Sequence, residues 1–163
     1  MLAVGDALAA GLTVPEQFTK HDFVKFHPSG TLGLALTSVH ERMTKDSGMI
    51  VAKDTPLQEV LVRMGEVGKG LLGVVSLNGV LDGGITDGDI RRFFAQNRYS
   101  EDVCAEDVMS RNPKSVSATH TLKEALRMME EHKITNLFVV DISGVPTGII
   151  HMHDILNFHE AGG

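Results

Sequence analysis

Two short clusters of polar side chains carry the residue types and spacing that chemistry needs. The first is Gly83-Gly84-Ile85-Thr86-Asp87-Gly88-Asp89-Ile90, followed directly by Arg91 and Arg92. The second is Gly148-Ile149-Ile150-His151-Met152-His153-Asp154-Ile155. In both, an apolar run ends in a polar turn, and an aspartate follows three residues after Thr86 or His151. A carboxylate at Asp89 can accept two hydrogen bonds from a vicinal diol, and the Thr86 hydroxyl can serve a sugar or a phosphate. The helix start expected at Asp87 favours an anion, and Arg91 or Arg92, one turn further in, can reach a phosphate. Thr-x-x-Asp is equally a helix-capping pattern, so binding and capping both remain open on the motif alone.

The second cluster differs in kind. His151 stands where the first has a hydroxyl, while Asp154 keeps the carboxylate. An imidazole at His151 can hydrogen-bond a phosphate or a sugar carboxylate, and its charge responds to pH near neutrality. On an extended strand His151 and His153 would share a face, a spacing that can hold a metal. The sequence sets no third ligand nearby, so no metal site is assigned. Polar contact with a ligand, or capping of the strand end, is the preferred reading.

The elements that must position these clusters also occur twice. The clusters lie about 65 residues apart, Met43-Thr44 corresponds to Met109-Ser110, and Thr55-Pro56-Leu57 corresponds to His120-Thr121-Leu122, which defines a repeat. The first copy predicts a helical turn over 39–43 and a short strand at 50–51. A helix follows, with Thr55 as cap, Pro56 at its first position, and an apolar stripe of Leu57, Val60, Leu61, Met64 and Val67. Strands over 72–77 and 80–85 flank the Asn78-Gly79 hairpin turn, and a helix covers 87–96. The second copy predicts a turn over 105–109, a strand at Val116 and a helix carrying Leu122, Ala125, Leu126 and Met129. Strands over 136–140 and 147–151 join through Ser143-Gly144, and a last helix runs from Asp154 to Phe158. Residues 97–104 read as the joint.

Composition bounds the alternatives. The chain has 163 residues, is 42% hydrophobic and 22% charged, and carries a net charge of −6. That describes a folded globular protein rather than a disordered one. Without a run of Lys or Arg, nucleic acid and anionic membrane surfaces are not expected partners. Cys104 is the one cysteine, which excludes an intramolecular disulfide, suits a reducing cytoplasm and reads as a small core residue. No apolar run reaches the length of a membrane span and no secretory leader is evident, so a cytoplasmic location is expected. Units this small bury little surface alone, so the two copies are expected to share a core.

Two units of this order, each ending in glycine, apolar residues, Thr or Ser, two residues and then Asp, resemble a tandem pair of CBS domains over roughly residues 37–158, with His151 in the second copy departing from the family's Ser or Thr. The resemblance implies a mixed α/β (α+β) fold with pseudo-two-fold symmetry, and domains at 37–98 and 99–163. It also implies clefts that bind nucleotides, with Thr86, Asp87, Asp89, Arg91, His151, His153 and Asp154 as the binding residues. Such modules commonly regulate an attached enzyme or transporter and self-associate as dimers.

The first 36 residues fall outside both repeats. Gly5-Asp6-Ala7-Leu8-Ala9, the stretch from Phe18 to Asp22, and His27-Pro28-Ser29-Gly30-Thr31-Leu32-Gly33 resemble the C-terminal end of a sugar isomerase (SIS) domain. With the repeats behind them, the chain resembles the C-terminal part of bacterial arabinose-5-phosphate isomerases. Residues 1–36 are then the last helices of a truncated SIS domain. His27 matches a histidine that the intact enzyme, a tetramer, contributes to aldose–ketose isomerisation, the first step toward 3-deoxy-D-manno-octulosonate in lipopolysaccharide or capsule. The sugar-phosphate loop has no counterpart in these residues, so the chain alone is expected to be inactive. No cofactor is required by this reading. The expected ligand is a regulatory nucleotide or a CMP-activated sugar. The rival expectations are a module that only sets oligomeric state, and an isomerase fragment that supplies His27.

Overall fold

The computed structural model describes residues 31–45, 47–96, 100 and 102–157. The leading helices expected before residue 31, and His27 with them, lie outside the described residues. Helix α1 (Thr31–Leu36) and a 3₁₀ turn (Val39–Glu41) lead into the first repeat. A second 3₁₀ turn (Ser47–Met49) and β1 (Ile50–Ala52) are followed by α2 (Leu57–Val67), β2 (Leu71–Val75), β3 (Leu81–Thr86) and α3 (Asp87–Ala95). The second repeat comprises α4 (Ala105–Val108), β4 (Ser110–Arg111), β5 (Ser115–Ser117), α5 (Leu122–His132), β6 (Asn136–Val140), β7 (Pro146–His151) and α6 (Met152–Leu156).

Local sequence explains most of these boundaries. Leu57, Val60 and Met64 are buried along one face of α2, and Gly68 stops the helix in the left-handed region at φ 63°. Leu122, Ala125 and Met129 do the same for α5, whose start is fixed by a reciprocal capping box between Thr121 and Glu124. Gly79 and Gly144 turn the two hairpins at φ 77° and 80°.

Four details depart from expectation. Pro56 is the cap residue of α2 and not its first helical residue, because the Thr55 carbonyl is taken by the Ala105 amide at 2.9 Å. Leu61 lies off the buried stripe and is 38% exposed. The last helix starts at Met152, two residues early, because His151 caps it. Cys104 is half-buried rather than in the core and caps α4, its thiol donating to Asp107 at 3.2 Å. Burial and that carboxylate together raise the thiol pKa, which leaves it a poor nucleophile.

Each repeat builds its own sheet. In the first, β1 and β2 run parallel, while β3 and the two-residue β4 add antiparallel in the order β1-β2-β3-β4. In the second, β5 and β6 are parallel and β7 is antiparallel to β6. Thr44 bridges to Ile149 at the outer edge of β7, matching the pairing of β4 with β3.

The leading segments are exchanged. Leu34, Val39 and Met43 lead into and open the first repeat yet pack into the core of the second, beside Leu122, Met129, Leu137, Ile150 and Ile155. Val103, Ala105, Val108 and Met109 lead into and open the second repeat yet pack into the first, beside Val60, Leu72, Val74 and Ile85. Glycine is required where these segments cross the sheets. A Cβ on Gly83 would collide with Met109 Sδ, and one on Gly148 would lie 2.7 Å from the Thr44 carbonyl. Met49, Leu71, Phe138 and Ile149 form a third cluster that joins the two sheets. No helix among the described residues is long and apolar enough to cross a membrane.

Candidate functional site

Thr86 ends β3 and Asp89 stands in the first turn of α3, so the strand-to-helix turn holds both at the boundary between the repeats. Asp89 is 6% exposed, although it is a carboxylate. Its Oδ2 accepts from the Thr86 amide at 2.8 Å and the Thr86 hydroxyl at 2.5 Å, and its own amide donates back to Thr86 Oγ1 at 3.2 Å. Oδ1 accepts from Arg92 Nη2 at 2.5 Å and from Ser110 Oγ at 2.7 Å. Burial alone would raise the Asp89 pKa. The hydrogen bonds from Thr86 and Ser110 and the Arg92 charge outweigh it and hold the group below the usual carboxylate range.

These residues floor a cleft of about 390 Å³ whose far wall is the second repeat. Leu71, Pro113, Ile134 and Phe138 supply apolar surface, and Lys114 and Lys133 supply cations. The Phe138 ring lies against Gly84, where an added Cβ would meet Cε2 at 3.1 Å and Pro113 Cβ at 3.3 Å. Asn136, also in the wall, has a buried side-chain oxygen without a hydrogen-bond partner among the described residues. Planar apolar surface, an anchored carboxylate and free cations can together hold an anion that carries a ring and hydroxyl groups.

The expected binding residues divide among three places. Thr86 and Asp89 share this cleft. Asp87 and Arg91 instead line a separate groove with Leu61, Met64 and Ile90, where Arg91 Nε donates to the Asp87 carbonyl at 3.3 Å. His151, His153 and Asp154 occupy the pseudo-symmetric position in the second repeat. There His151 Nδ1 accepts from the His153 amide at 3.0 Å, which places the ring proton on Nε2. Asp154 Oδ2 accepts from the His151 amide at 3.3 Å and pairs with Lys69 at 3.6 Å. Desolvation lowers the His151 pKa, with His153 and Lys69 adding to the effect and Asp154 opposing it. His153 lies on α6 and not on the strand, its ring 5.1 Å from that of His151.

Sequence reading missed the far wall. Arg92, not Arg91, meets the carboxylate, and Ser110, Lys114, Lys133 and Asn136 come from the other repeat. Superposing the two copies offers one signal: Lys133 takes the place of Gly68, at the end of the equivalent helix.

Comparison with known proteins agrees with the fold. The CBS domain family matches residues 105–160. The chain is 36% identical over 157 residues to arabinose 5-phosphate isomerase KdsD of Francisella tularensis, covering 95% of the chain and 48% of that protein. It is 38% identical over 157 residues to KdsD of Pseudomonas aeruginosa, with 95% and 48% covered. The chain thus spans about half the length of these relatives. Among solved structures, the CBS domain pair of protein MJ0100, in complex with 5′-methylthioadenosine and S-adenosyl-L-methionine, superposes with a TM-score of 0.69 at 23% identity, covering 78% of this chain and 98% of the other. CBSX2 in complex with AMP superposes at 0.63 with 24% identity, covering 74% and 94%.

Proposed function

We infer, from the premise that this chain is a tandem CBS-domain pair of the kind found in KdsD-type isomerases, that it is a ligand-sensing module whose first cleft binds a nucleotide or nucleotide-sugar. The observation that carries this reading is the cleft itself, where Thr86 and Asp89 face an apolar wall with a ring-sized surface at Phe138. Asp89 anchors the ribose diol, exchanging its bonds from Arg92 and Ser110 for bonds from the ligand. The base lies against Phe138 and Ile134, and the unsatisfied Asn136 oxygen suits a ligand that brings an N–H donor. The structures bound to AMP and to S-adenosyl-L-methionine support the ligand class. Within a longer isomerase the module regulates interconversion of ribulose 5-phosphate and arabinose 5-phosphate, and a CMP-activated octulosonate is a fitting feedback ligand.

Calorimetric titration with CMP, AMP, ATP and the CMP-sugar tests the proposal. Saturable heat with one of them, lost in Asp89→Asn, is expected. Absence of heat with all four would leave the rival reading, an oligomerisation module. That rival rests on exposed apolar side chains such as Val62 on α2 and Phe94 on α3, which are 61% and 41% exposed. Isomerase turnover by the chain alone is not expected.

A further inference from the structure

We propose that Lys114 and Lys133 form an anion anchor that makes the first cleft select ligands with two or more negative charges over their neutral counterparts. The proposal rests on the reading of that cleft as a ligand site and adds its charge specificity.

The charge balance is the first support. Asp89 is the one acidic residue lining the cleft, against Arg92, Lys114 and Lys133. Asp89 is already neutralised by Arg92 at 2.5 Å. Lys114 and Lys133 are exposed at the cleft, and neither ammonium has an ion-pair partner among the described residues, so the lining carries two uncompensated positive charges. A ligand that brings two anionic groups, such as a nucleoside diphosphate or a sugar nucleotide with a carboxylate, completes the balance.

The backbone is the second, independent support. Asn112 and Lys133, at φ 55° and 54°, are the non-glycine residues with positive φ among the described residues. Both place a cleft lysine: Asn112 turns the chain immediately before Pro113-Lys114, and Lys133 is itself the second cation. The first repeat uses Gly68 for the same helix end at φ 63°. Asparagine tolerates this region, whereas a lysine held where glycine is favoured points to a constraint at Lys133 beyond folding. The competing account is that Lys133 answers the negative end of the α5 dipole. That account assigns no role to the side chain in binding, so it predicts unchanged affinity when glycine is restored.

Titrating the 163-residue chain with ADP, AMP, adenosine and inorganic pyrophosphate decides between the two. Wild type should bind ADP more tightly than AMP, and AMP more tightly than adenosine. Lys133→Gly should melt no lower than wild type. Combined with Lys114→Gln, it should weaken ADP and pyrophosphate by about tenfold or more while adenosine changes by less than about twofold. If the double variant binds ADP as wild type does while Asp89→Asn abolishes binding, the anchor is wrong and the cleft reading stands. If nucleotides and adenosine fail to bind but pyrophosphate binds and is lost in the double variant, the anchor stands and the nucleotide reading falls. If none of the four probes binds, both fall.

Discussion

Ser110 donates its hydroxyl to Asp89 Oδ1 across 2.7 Å, so the start of the second repeat holds the carboxylate of the first. Ser110→Ala removes that donor from a buried acceptor and is expected to cost about 1 kcal/mol at neutral pH. Asp89 has a depressed pKa in the folded state, so its stabilisation is present above the unfolded carboxylate value and is lost as pH falls through the folded one. The variant should therefore lose less stability on acidification to pH 3 than wild type does. Urea unfolding at neutral and acid pH measures both effects.

His151 gives the second site an acid response in the same sense, nearer to neutral pH. Its lowered pKa means the unfolded chain binds the proton more readily, so stability is complete above about pH 6.5 and declines as pH falls below it. Protonation also turns the Nδ1 acceptor into a donor facing the His153 amide, which breaks the cap of α6. The groups around it are Asp154 and His153 on α6 and Lys69 after α2. His151→Thr, which copies the cap of the first repeat, should show a smaller drop in melting temperature between pH 7.5 and 5.5 than wild type.

Gly84 and Phe138 are expected to behave as a packed pair. Gly84→Ala brings a methyl group against the ring at 3.1 Å and should cost about 1–3 kcal/mol. Phe138→Leu frees that space, so the double variant should be more stable than the sum of the single changes predicts. Denaturant midpoints of all four proteins give the coupling.

Val39 lies at the start of the first repeat but is fully buried in the second. Val39→Ala should cost about 2 kcal/mol. Hydrogen exchange should show the loss of protection first in β6 and β7, with β2 and β3 affected less. Equal loss in the first sheet would contradict the exchanged packing.

The order of elements was legible because it rests on local signals. Helical spacing placed Leu57, Val60 and Met64, and the Asn78-Gly79 and Ser143-Gly144 turns set both hairpins. The internal period then carried one unit onto the other. What escaped depends on contacts between residues far apart in the chain. Strand β4 is two residues long and exists because Ser110 and Arg111 pair with Gly84 and Gly83. The displaced start of α2 follows from Ala105 occupying the Thr55 carbonyl. Of the site, Thr86 and Asp89 could be read from their motif, because strand-to-helix turns are local. Lys114, Lys133 and Asn136 carry no motif; only the packing of one repeat on the other brings them to the cleft that Asp89 lines.

The exchange of leading segments bears on how such a chain can arise and be taken apart. A single repeat lacks the segment that fills its own core, and finds it on a neighbour. Two separate copies of an ancestral unit could satisfy each other only by colliding in solution. Joining them in one polypeptide makes that encounter intramolecular, with an effective concentration on the order of millimolar. The 163-residue chain is in this sense a dimer made permanent by its linker. Once its copies no longer had to be identical, one turn could keep Thr86 while the other acquired His151.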